Sequence, residues 1–417
     1  MGSDRFDHVV LAVDEGNSCY RYESPVAFVI NSGNASDYGQ AACFLNKSLA
    51  SVVSLQHEFG IFGGHWGRYI LNLTSKLEKP LVTTFHTLHR KPDRTVKEIL
   101  KHLVKVSTCV VVLSKKSAQL ITNVYDAPES KVHVIPHGAP ISPKYDQLIE
   151  KDRLGLTGRT IVSTMGLLSP NKGVEYGIRA VKDLTKKYPE ISYLIVGETH
   201  PTVRKMEGEK YRGKLQRLIS DLDLAKHVRF VDRFLAEEEL DRFLTVTDVY
   251  LAPYREQGQV SSGTLTRAMA FGKGIVATPT IFSSEALPER GLFCKFNDHK
   301  SIAEQVSVIL SDSSLRRELE TRAGDYGRSI SWRETSEKYA GVFLEAAQTE
   351  TQGILESPDA QIPADVRTPL TIRSTIQRYI RRKASGPVPS RSNTSSSAVY
   401  DSSIISRLPP KQRSSVE

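Results

Sequence analysis

Gly166-Leu-Leu-Ser-Pro-Asn-Lys172-Gly173 joins the apolar run 160–165 to an amphipathic segment that begins at Val174. A strand, a glycine-bearing loop and a helix in this order form the repeating unit of parallel α/β sheets. The two glycines allow close approach of the backbone, the helix start offers free N–H groups, and Lys172 adds a positive charge. The loop therefore predicts an anion site suited to phosphate. An ordinary βα turn is the alternative that this loop alone leaves open.

A second loop of the same kind follows the apolar run 249–252. It reads Tyr254-Arg-Glu-Gln-Gly-Gln259-Val-Ser-Ser262-Gly263-Thr264-Leu265 and leads into another predicted helix. Small residues before a helix start again present N–H groups without intrahelical partners. Two such helix starts in one domain suggest a ligand that carries a diphosphate, such as a nucleotide sugar.

Apolar β-like runs alternate with amphipathic helices on both sides of these loops. Strands are predicted at 9–13, 51–55, 81–84, 108–112, 160–165, 192–196, 228–231, 249–252 and 274–277. Helices are predicted at 174–186, 210–221, 237–244, 265–271, 302–310 and 336–346. The Pro- and Gly-rich stretch 138–159 reads as a hinge between two doubly wound Rossmann-like domains that face a cleft, with ligands at the carboxyl ends of the strands.

The domain boundaries follow from this pattern. Residues 1–150 are predicted to form the first Rossmann-like domain, and 151–330 the second, which carries both phosphate-type loops and is the candidate nucleotide-sugar-binding domain. Residues 331–348 are expected to form a helix that returns across both, with Trp332 and Tyr339 as packing anchors. The Ser/Pro-rich segment 349–417 is predicted to be a disordered basic tail.

The distribution of charge along the chain argues against nucleic-acid binding. The 417 residues carry a net charge of +9, and residues 351–417 hold ten basic and five acidic residues, so more than half of the excess lies in the tail. We therefore expect no nucleic-acid partner. Segment 371–383 has isoleucines at helical spacing among arginines, which indicates either peripheral membrane contact, a docking helix or a solvated tail, the last being favoured.

The lack of a recognisable targeting signal and the spacing of the cysteines together predict a reducing compartment. No apolar run is long enough to span a membrane and no signal pattern is present at the start, so a cytoplasmic location is expected. The four cysteines are far apart and form no Cys-x-x-Cys pair, which argues against a disulfide framework and a thiolate zinc site.

Further motifs in the first half complete a family pattern. They read Leu55-Gln-His57-Glu-Phe-Gly-Ile-Phe-Gly-Gly64, Val82-Thr-Thr-Phe-His86-Thr87 and Val134-Ile-Pro-His137-Gly138. Together with the two loops and Ile275-Val-Ala-Thr-Pro279, they make residues 7–347 resemble the GT-B glycosyltransferases of family 4 (glycosyl transferases group 1). The resemblance is strongest to a bacterial-type subgroup with the strings GLLSPNKG and SGTL.

The resemblance implies retaining transfer of a hexose, with glucose or mannose as first candidates. The donor would be a nucleotide sugar and the acceptor a hydroxyl of a carbohydrate or glycan, with no metal and no cofactor. His86 would be catalytic, although a buried core histidine is the alternative reading, and His57, Gly63 and Gly64 would line the acceptor side. The donor would contact Gly166, Ser169, Asn171, Lys172, Gly173, Gln259, Ser262, Gly263 and Thr264.

Three departures from the family pattern favour a second hypothesis. Leu167 stands where the family often has Arg, and the family's Glu-x7-Glu pair falls on Gln259 and Arg267. Run 9–13 resembles the family's second strand, so a first βα unit with its glycine loop is expected to be missing. The alternative is therefore a non-catalytic GT-B module that binds a sugar nucleotide or a protein partner.

Several isolated polar residues have ordinary interpretations. His57-Glu58 resembles the start of a zinc motif, but Ile61 replaces its second histidine. The pair Asp221 and Asp223 is expected at a helix end rather than on a metal. His137 is predicted in a hinge turn, with cleft contact as the lesser alternative, and Glu285 at a helix start, with donor contact as the lesser one.

Overall fold

The computed structural model describes residues 6–16, 21–143 and 145–355, and of residues 350–355 only the backbone. Within these ranges the chain forms twelve strands: β1 Val10–Asp14, β2 Val26–Asn31, β3 Val53–His57, β4 Leu81–Phe85, β5 Cys109–Val112, β6 Val132–Val134, β7 Thr160–Met165, β8 Ile191–Val196, β9 Val228–Val231, β10 Val249–Ala252, β11 Gly274–Ala277 and β12 Leu292–Phe293.

The same ranges contain fourteen α-helices. In chain order they are α1 Ala35–Lys47, α2 Ile70–Thr74, α3 Arg94–Val106, α4 Lys115–Tyr125, α5 Gln147–Arg153, α6 Val174–Leu184, α7 Pro201–Glu207, α8 Lys210–Asp221, α9 Glu237–Val246, α10 Gly263–Ala270, α11 Ser283–Ala286, α12 His299–Ser311, α13 Ser313–Ser329 and α14 Trp332–Leu355. No helix in the described ranges combines the length and apolar composition that a membrane span requires.

All strands are parallel and form three sheets. The first half holds the pair β1-β2 and a four-stranded sheet in the order β3-β4-β5-β6, and the second half holds six strands in the order β12-β11-β10-β7-β8-β9. Strands β4, β5, β8 and β10 are buried at every position because helices cover both faces. Parallel strands place all their carboxyl ends at one edge, and the predicted site residues follow those ends.

Helix α14 connects the end of the second half to the first. The ring of Trp332 lies against Gly138, where an added Cβ would be 2.1 Å from Cε3, and the Trp332 N–H donates to the Ala139 carbonyl at 2.9 Å. Further along α14, the Tyr339 hydroxyl lies 3.3 Å from Thr84 Oγ1 on β4. Val342, Phe343 and Ala346 pack against the outer face of β4 and β5.

The α/β fold class is confirmed, and four strands of the second half match their predicted bounds residue for residue. The short strands β6 and β12 and the half-exposed β2 were not predicted, since brief or exposed strands lack a continuous apolar run. The predicted hinge at 138–159 contains α5, whose first-turn N–H groups donate to the Asp146 side chain. Helix α14 extends past the predicted end at 348, and residues 356–417, including the predicted segment 371–383, lie outside the described residues.

Candidate functional site

Lys172 lies at the carboxyl end of β7, inside the loop that carries the phosphate prediction. Its ammonium donates to the Met165 carbonyl at 3.3 Å and lies 5.1 Å from the centre of the Tyr254 ring. A Cβ added at Gly166 would be 3.1 Å from the ammonium and 3.2 Å from Thr264 Cγ2. The Lys172 charge therefore lies between the two predicted phosphate loops, and no carboxylate among the described residues forms an ion pair with it.

The two loops are held together by backbone contacts. The Arg255 N–H donates to the Asn171 carbonyl at 3.0 Å, and the Lys172 N–H donates to the Ser169 carbonyl at 3.0 Å. Gly173 has a φ of +63°, and an added Cβ would be 2.0 Å from the Pro253 carbonyl oxygen. Only glycine fits this close approach, which fixes the spacing of the two loops.

Helix α10 begins with free donors beside this charge. Ser262 caps it, accepting the Leu265 N–H at 3.3 Å while its hydroxyl lies 2.6 Å from the Tyr254 hydroxyl. The N–H groups of Gly263 and Thr264 have no intrahelical acceptor because they belong to the first turn. The Thr264 hydroxyl oxygen is buried without a hydrogen-bond partner among the described residues. These groups form a polar, positively charged cradle that an anion could occupy.

Asn171 and Gln259 face each other across the cradle. Asn171 Nδ2 lies 3.5 Å from Gln259 Oε1, and Asn171 Oδ1 is buried without a partner in the described part of the chain. Burial alone would raise the pKa of Tyr254, but the nearby Lys172 charge and the Ser262 hydrogen bond reverse this, so that its pKa is lowered. The Lys172 ammonium beside the Tyr254 ring gives the cradle a positive charge that suits a polyanionic ligand.

His86 follows β4 and is held in one tautomer by Gln56 on β3. Its Nε2 lies 2.9 Å from Gln56 Oε1, while the Gln56 amide nitrogen donates to Ser54 Oγ at 3.1 Å. The Gln56 oxygen therefore accepts, so Nε2 carries the proton and Nδ1 is the acceptor. Burial, and secondarily His137, lower the pKa of His86 and keep the ring neutral. A neutral ring with a free Nδ1 can accept a hydrogen bond from a sugar hydroxyl.

His57 is not where the sequence interpretation expects it. Its side chain is fully buried, with ring centres of Phe59, Phe62 and Phe85 at 5.0, 5.9 and 5.5 Å. Neither ring nitrogen has a hydrogen-bond partner within the described residues, and burial lowers the pKa to about 4. The placement of His57 on the acceptor side is therefore corrected: the side chain belongs to the aromatic core behind the cleft, and only its carbonyl, which accepts the His86 N–H, touches the site.

Gly63 and Gly64 have structural reasons to be glycine. A Cβ at Gly63 would be 1.6 Å from the Ser32 carbonyl oxygen, and Gly64 has a φ of +78° at the start of a 3-10 turn. The Gly63 N–H donates to the Tyr38 hydroxyl at 2.9 Å. An acceptor contact by these glycines stays a prediction, since tight packing alone accounts for both.

Two polar residues of the site were missed by the sequence interpretation. Glu58 follows β3, where one oxygen accepts the Thr87 hydroxyl at 2.6 Å and the other accepts the Phe59 N–H at 3.0 Å. His200 follows β8, and its electrostatic neighbours are Lys172 and, from the first half, Glu58. Burial and Lys172 lower the pKa of His200. The signal for both was their position after the carboxyl end of a parallel strand, Glu58 directly after β3 and His200 four residues after β8.

The predicted departures have structural counterparts. Arg267 does not point a free charge into the cradle: its Nε and Nη2 lie 2.7 and 2.5 Å from Asp241 Oδ1 on α9.

His137 Nε2 would be 3.3 Å from a Cβ at Gly263, so this ring faces the start of α10. Asp221 ends α8 as predicted.

Contacts between the halves bring the cleft walls together. The Ser261 hydroxyl donates to the His86 carbonyl at 3.0 Å, which places the α10 loop against the His86 turn. Glu285 accepts the N–H groups of Lys115 and Lys116, at 2.8 and 2.9 Å, at the start of α4. Glu285 lies in the first turn of its own helix α11, which confirms the predicted helix start, and it also caps the start of α4 in the opposite half.

Family models match both halves of the chain. Residues 146–329 match the model described as glycosyl transferases group 1, and 47–142 match glycosyltransferase family 4. A D-inositol 3-phosphate glycosyltransferase of Corynebacterium efficiens is 26% identical over 295 residues, 66% of this chain and 68% of the relative. A GDP-mannose-dependent alpha-(1-6)-phosphatidylinositol monomannoside mannosyltransferase of Mycolicibacterium smegmatis is 35% identical over 108 residues, 26% of this chain and 25% of the relative.

Solved structures share the architecture at low sequence identity. A glycosyltransferase from Rickettsia africae superposes with a TM-score of 0.64 at 15% identity, over 81% of this chain and 90% of that chain. Anabaena HepE in complex with UDP-glucose gives a TM-score of 0.62 at 16% identity, over 79% of this chain and 86% of that chain. These similarities establish that the chain shares the fold of these glycosyltransferases.

Proposed function

For this chain, which has the GT-B fold and carries group 1 and family 4 glycosyltransferase domains, we propose hexose transfer with retention from a nucleotide sugar to an acceptor hydroxyl. The observation that carries the proposal is the position of Lys172 between Gly166 and Thr264, beside the free N–H groups that start α10. A diphosphate would take the positive charge and the N–H donors together. Of the relatives, one is described as GDP-mannose-dependent and a neighbour is solved with UDP-glucose, which supports a nucleotide sugar as donor.

The proposed reaction breaks the bond between the anomeric carbon and the donor phosphate oxygen. The acceptor oxygen forms the new bond on the same face, and its proton passes to the leaving phosphate, so that nucleoside diphosphate is released. Lys172 and the N–H groups of Gly263 and Thr264 would stabilise the charge on that phosphate. His86 Nδ1 would accept a hydrogen bond from a hydroxyl of the hexose and hold the ring so that the acceptor reaches the anomeric carbon on the face of the leaving phosphate. The cradle supplies the positive charge, so we expect no metal requirement for transfer.

The acceptor is proposed to be a carbohydrate or glycan hydroxyl, bound on the first-half side of the cleft. Glu58 is a carboxylate already oriented by Thr87 and Phe59, and it can accept two hydroxyl hydrogen bonds more. Glucose and mannose are the first candidates for the hexose. The subgroup with GLLSPNKG and SGTL strings and a location in the cytoplasm stay predictions.

Donor turnover tests the proposal. UDP- and GDP-hexoses would be incubated with the full chain and a panel of polyol and glycan acceptors, and nucleoside diphosphate release would be followed. We expect release with at least one donor, and at least 100-fold slower release in His86→Ala even at donor concentrations that saturate the variant. Absence of release with every donor, at concentrations that saturate binding, would contradict an enzymatic role.

A specific observation supports the alternative of a non-catalytic module. Arg267 stands at the position of the family's second glutamate and forms an ion pair with Asp241. This position therefore offers no carboxylate to a nucleoside. A module would bind the sugar nucleotide with micromolar affinity by calorimetry and leave it intact over hours. Any acceptor-dependent release of nucleoside diphosphate would eliminate this alternative.

A further inference from the structure

A cluster of three potential metal ligands lies far from the cleft, under the C-terminal helix. Cys109 on β5, His133 on β6 and Glu345 on α14 each offer one possible ligand atom, and these atoms lie within 4.8 Å of one another. The register of the sheet pairs Val111 with His133, so Cys109 and His133 project from the same face of the sheet. Helix α14 covers that face and brings in Glu345.

From this geometry we propose that Cys109, His133 and Glu345 bind one divalent cation such as Zn²⁺. The bound ion would hold helix α14 against the sheet β3-β4-β5-β6. The proposal concerns no residue of the cleft and does not depend on the transfer reaction. It departs from the expectation that the chain has no thiolate zinc site. Cysteine spacing detects pairs that are close in sequence, whereas Cys109 and Glu345 are 236 residues apart.

Two of the three distances between the candidate ligand atoms are close to those of tetrahedral zinc, and the third, between Cys109 and His133, is at most 4.8 Å. His133 Nε2 lies 3.5 Å from Glu345 Oε1, and Cys109 Sγ lies 3.9 Å from the same oxygen. Ordinary zinc–ligand bond lengths in a tetrahedron separate nitrogen from oxygen by about 3.4 Å and sulfur from oxygen by about 3.6 Å. Adjustments of a few tenths of an ångström in side chains that already face one another would complete these two edges.

Within the cluster the Cys109 thiol donates to Glu345 Oε1, but the hydrogen bonding of His133 is incomplete. His133 Nε2 is buried and has no hydrogen-bond partner among the described residues, although the Glu345 carboxylate is adjacent. A buried imidazole nitrogen without a partner is costly, and a metal ion would use its lone pair. Thiolate and carboxylate together would also neutralise a divalent cation.

The surroundings are those of a metal site with one open position. Val82, Val111, Ile135, Val342 and Phe343 form an apolar wall on the sheet and helix sides. The Glu345 side chain is 53% exposed, so a water molecule can reach the fourth position from outside. Burial and then Glu345 raise the pKa of the Cys109 thiol to about 11, so that metal binding would have to release its proton.

Cobalt and zinc titrations of the untagged, metal-stripped full chain test the proposal. We expect a thiolate-to-cobalt charge-transfer band that saturates at one equivalent, displacement of cobalt by zinc, and an upward shift of the thermal midpoint by several degrees with zinc. Cys109→Ser, His133→Gln and Glu345→Gln should each weaken zinc binding at least tenfold. The controls Cys43→Ser and Cys294→Ser, which change an exposed and a buried thiol elsewhere, should leave it unchanged.

Two results would overturn the proposal. The first is the absence of a charge-transfer band at stoichiometric cobalt, or an equal band in Cys109→Ser. The second is a loss of thermal stability in Glu345→Gln in metal-free buffer with no response of the parent chain to zinc, which would identify an ion pair between His133 and Glu345 only. Because Glu345 is half exposed on a helix surface, Glu345→Gln is expected to fold. A loss of zinc binding in this variant can therefore be distinguished from a loss of the fold.

Discussion

Replacing His57 by leucine is expected to remove one source of the acid sensitivity of the fold. His57 is fully buried among three phenyl rings, and burial, with a smaller contribution from His86, lowers its pKa from 6.5 to about 4. The unfolded chain therefore takes up the proton first as the pH falls. This contribution to stability is complete above pH 6.5 and is lost progressively as the pH falls towards 4.

The size of the effect follows from the two pKa values. Between pH 7 and pH 5, a shift from 6.5 to about 4 lowers the free energy of unfolding by about 2 kcal/mol. His57→Leu removes that loss and breaks no hydrogen bond, since neither ring nitrogen has a partner within the described part of the chain. At pH 7 the variant is expected to be at least as stable as the parent, because an apolar side chain replaces an unpaired polar one.

Urea unfolding followed by circular dichroism at pH 7 and pH 5 measures the difference. The midpoint of the parent should fall by roughly 1 M more than that of His57→Leu, at an m of about 2 kcal/mol per M. His65→Gln, which changes an exposed imidazole eight residues away, should behave like the parent. Equal pH dependence in parent and His57→Leu would refute the reasoning that burial keeps His57 uncharged.

Three further changes test separate parts of the site. Glu285→Gln should lower the free energy of unfolding by about 1–2 kcal/mol, because the contact between the halves loses a charged acceptor at a helix start, and urea unfolding measures it. Gly63→Ala should cost about 3 kcal/mol or prevent folding, since its Cβ would lie 1.6 Å from the Ser32 carbonyl oxygen, and thermal unfolding would report it. Gln56→Leu should leave donor affinity unchanged but lower kcat tenfold or more, because His86 is no longer held in the tautomer with Nδ1 free; steady-state kinetics against pH would detect the change.

Matched substitutions separate these effects from general damage. Glu289→Gln removes an exposed carboxylate from the same region as Glu285 and should not change stability measurably. Gly60→Ala lies in the same loop as Gly63, but an added Cβ there meets no atom within 4 Å, so the variant should fold normally. If Gly60→Ala is as damaging as Gly63→Ala, the close contact with Ser32 is not the cause.

The sequence was most informative where physical constraints are local. Val249–Ala252 is a buried parallel strand whose apolar run can be recognised in the sequence alone, and Thr160–Met165 is a buried strand in which four of six residues are β-branched. Lys172 was found because glycines and a helix start surround it within eight residues. Strand β6 has three residues and half-exposed positions, so its existence depends on pairing with β5, which a single sequence does not reveal.

Residues that meet only in the folded chain were assigned wrongly or missed. His57 sits in a motif with Glu58, yet the alternation of a strand sends the histidine into the core and leaves the carboxylate at the cleft. Glu285 caps a helix 170 residues away, and His200 nears Lys172 only because β8 lies beside β7. Such contacts depend on strand order and on the approach of the two halves, which no local pattern encodes.

The central claim is that the Lys172 cradle binds the diphosphate of a nucleotide sugar, and calorimetric titration of Lys172→Met tests it most directly. Binding of the preferred donor, or of UDP and GDP, would be compared with Lys182→Met on the exterior of α6. A charged hydrogen bond contributes about 1.5–3 kcal/mol, so we predict a dissociation constant raised 10- to 100-fold in Lys172→Met and unchanged in Lys182→Met. A dissociation constant equal to that of the parent in Lys172→Met would contradict the account.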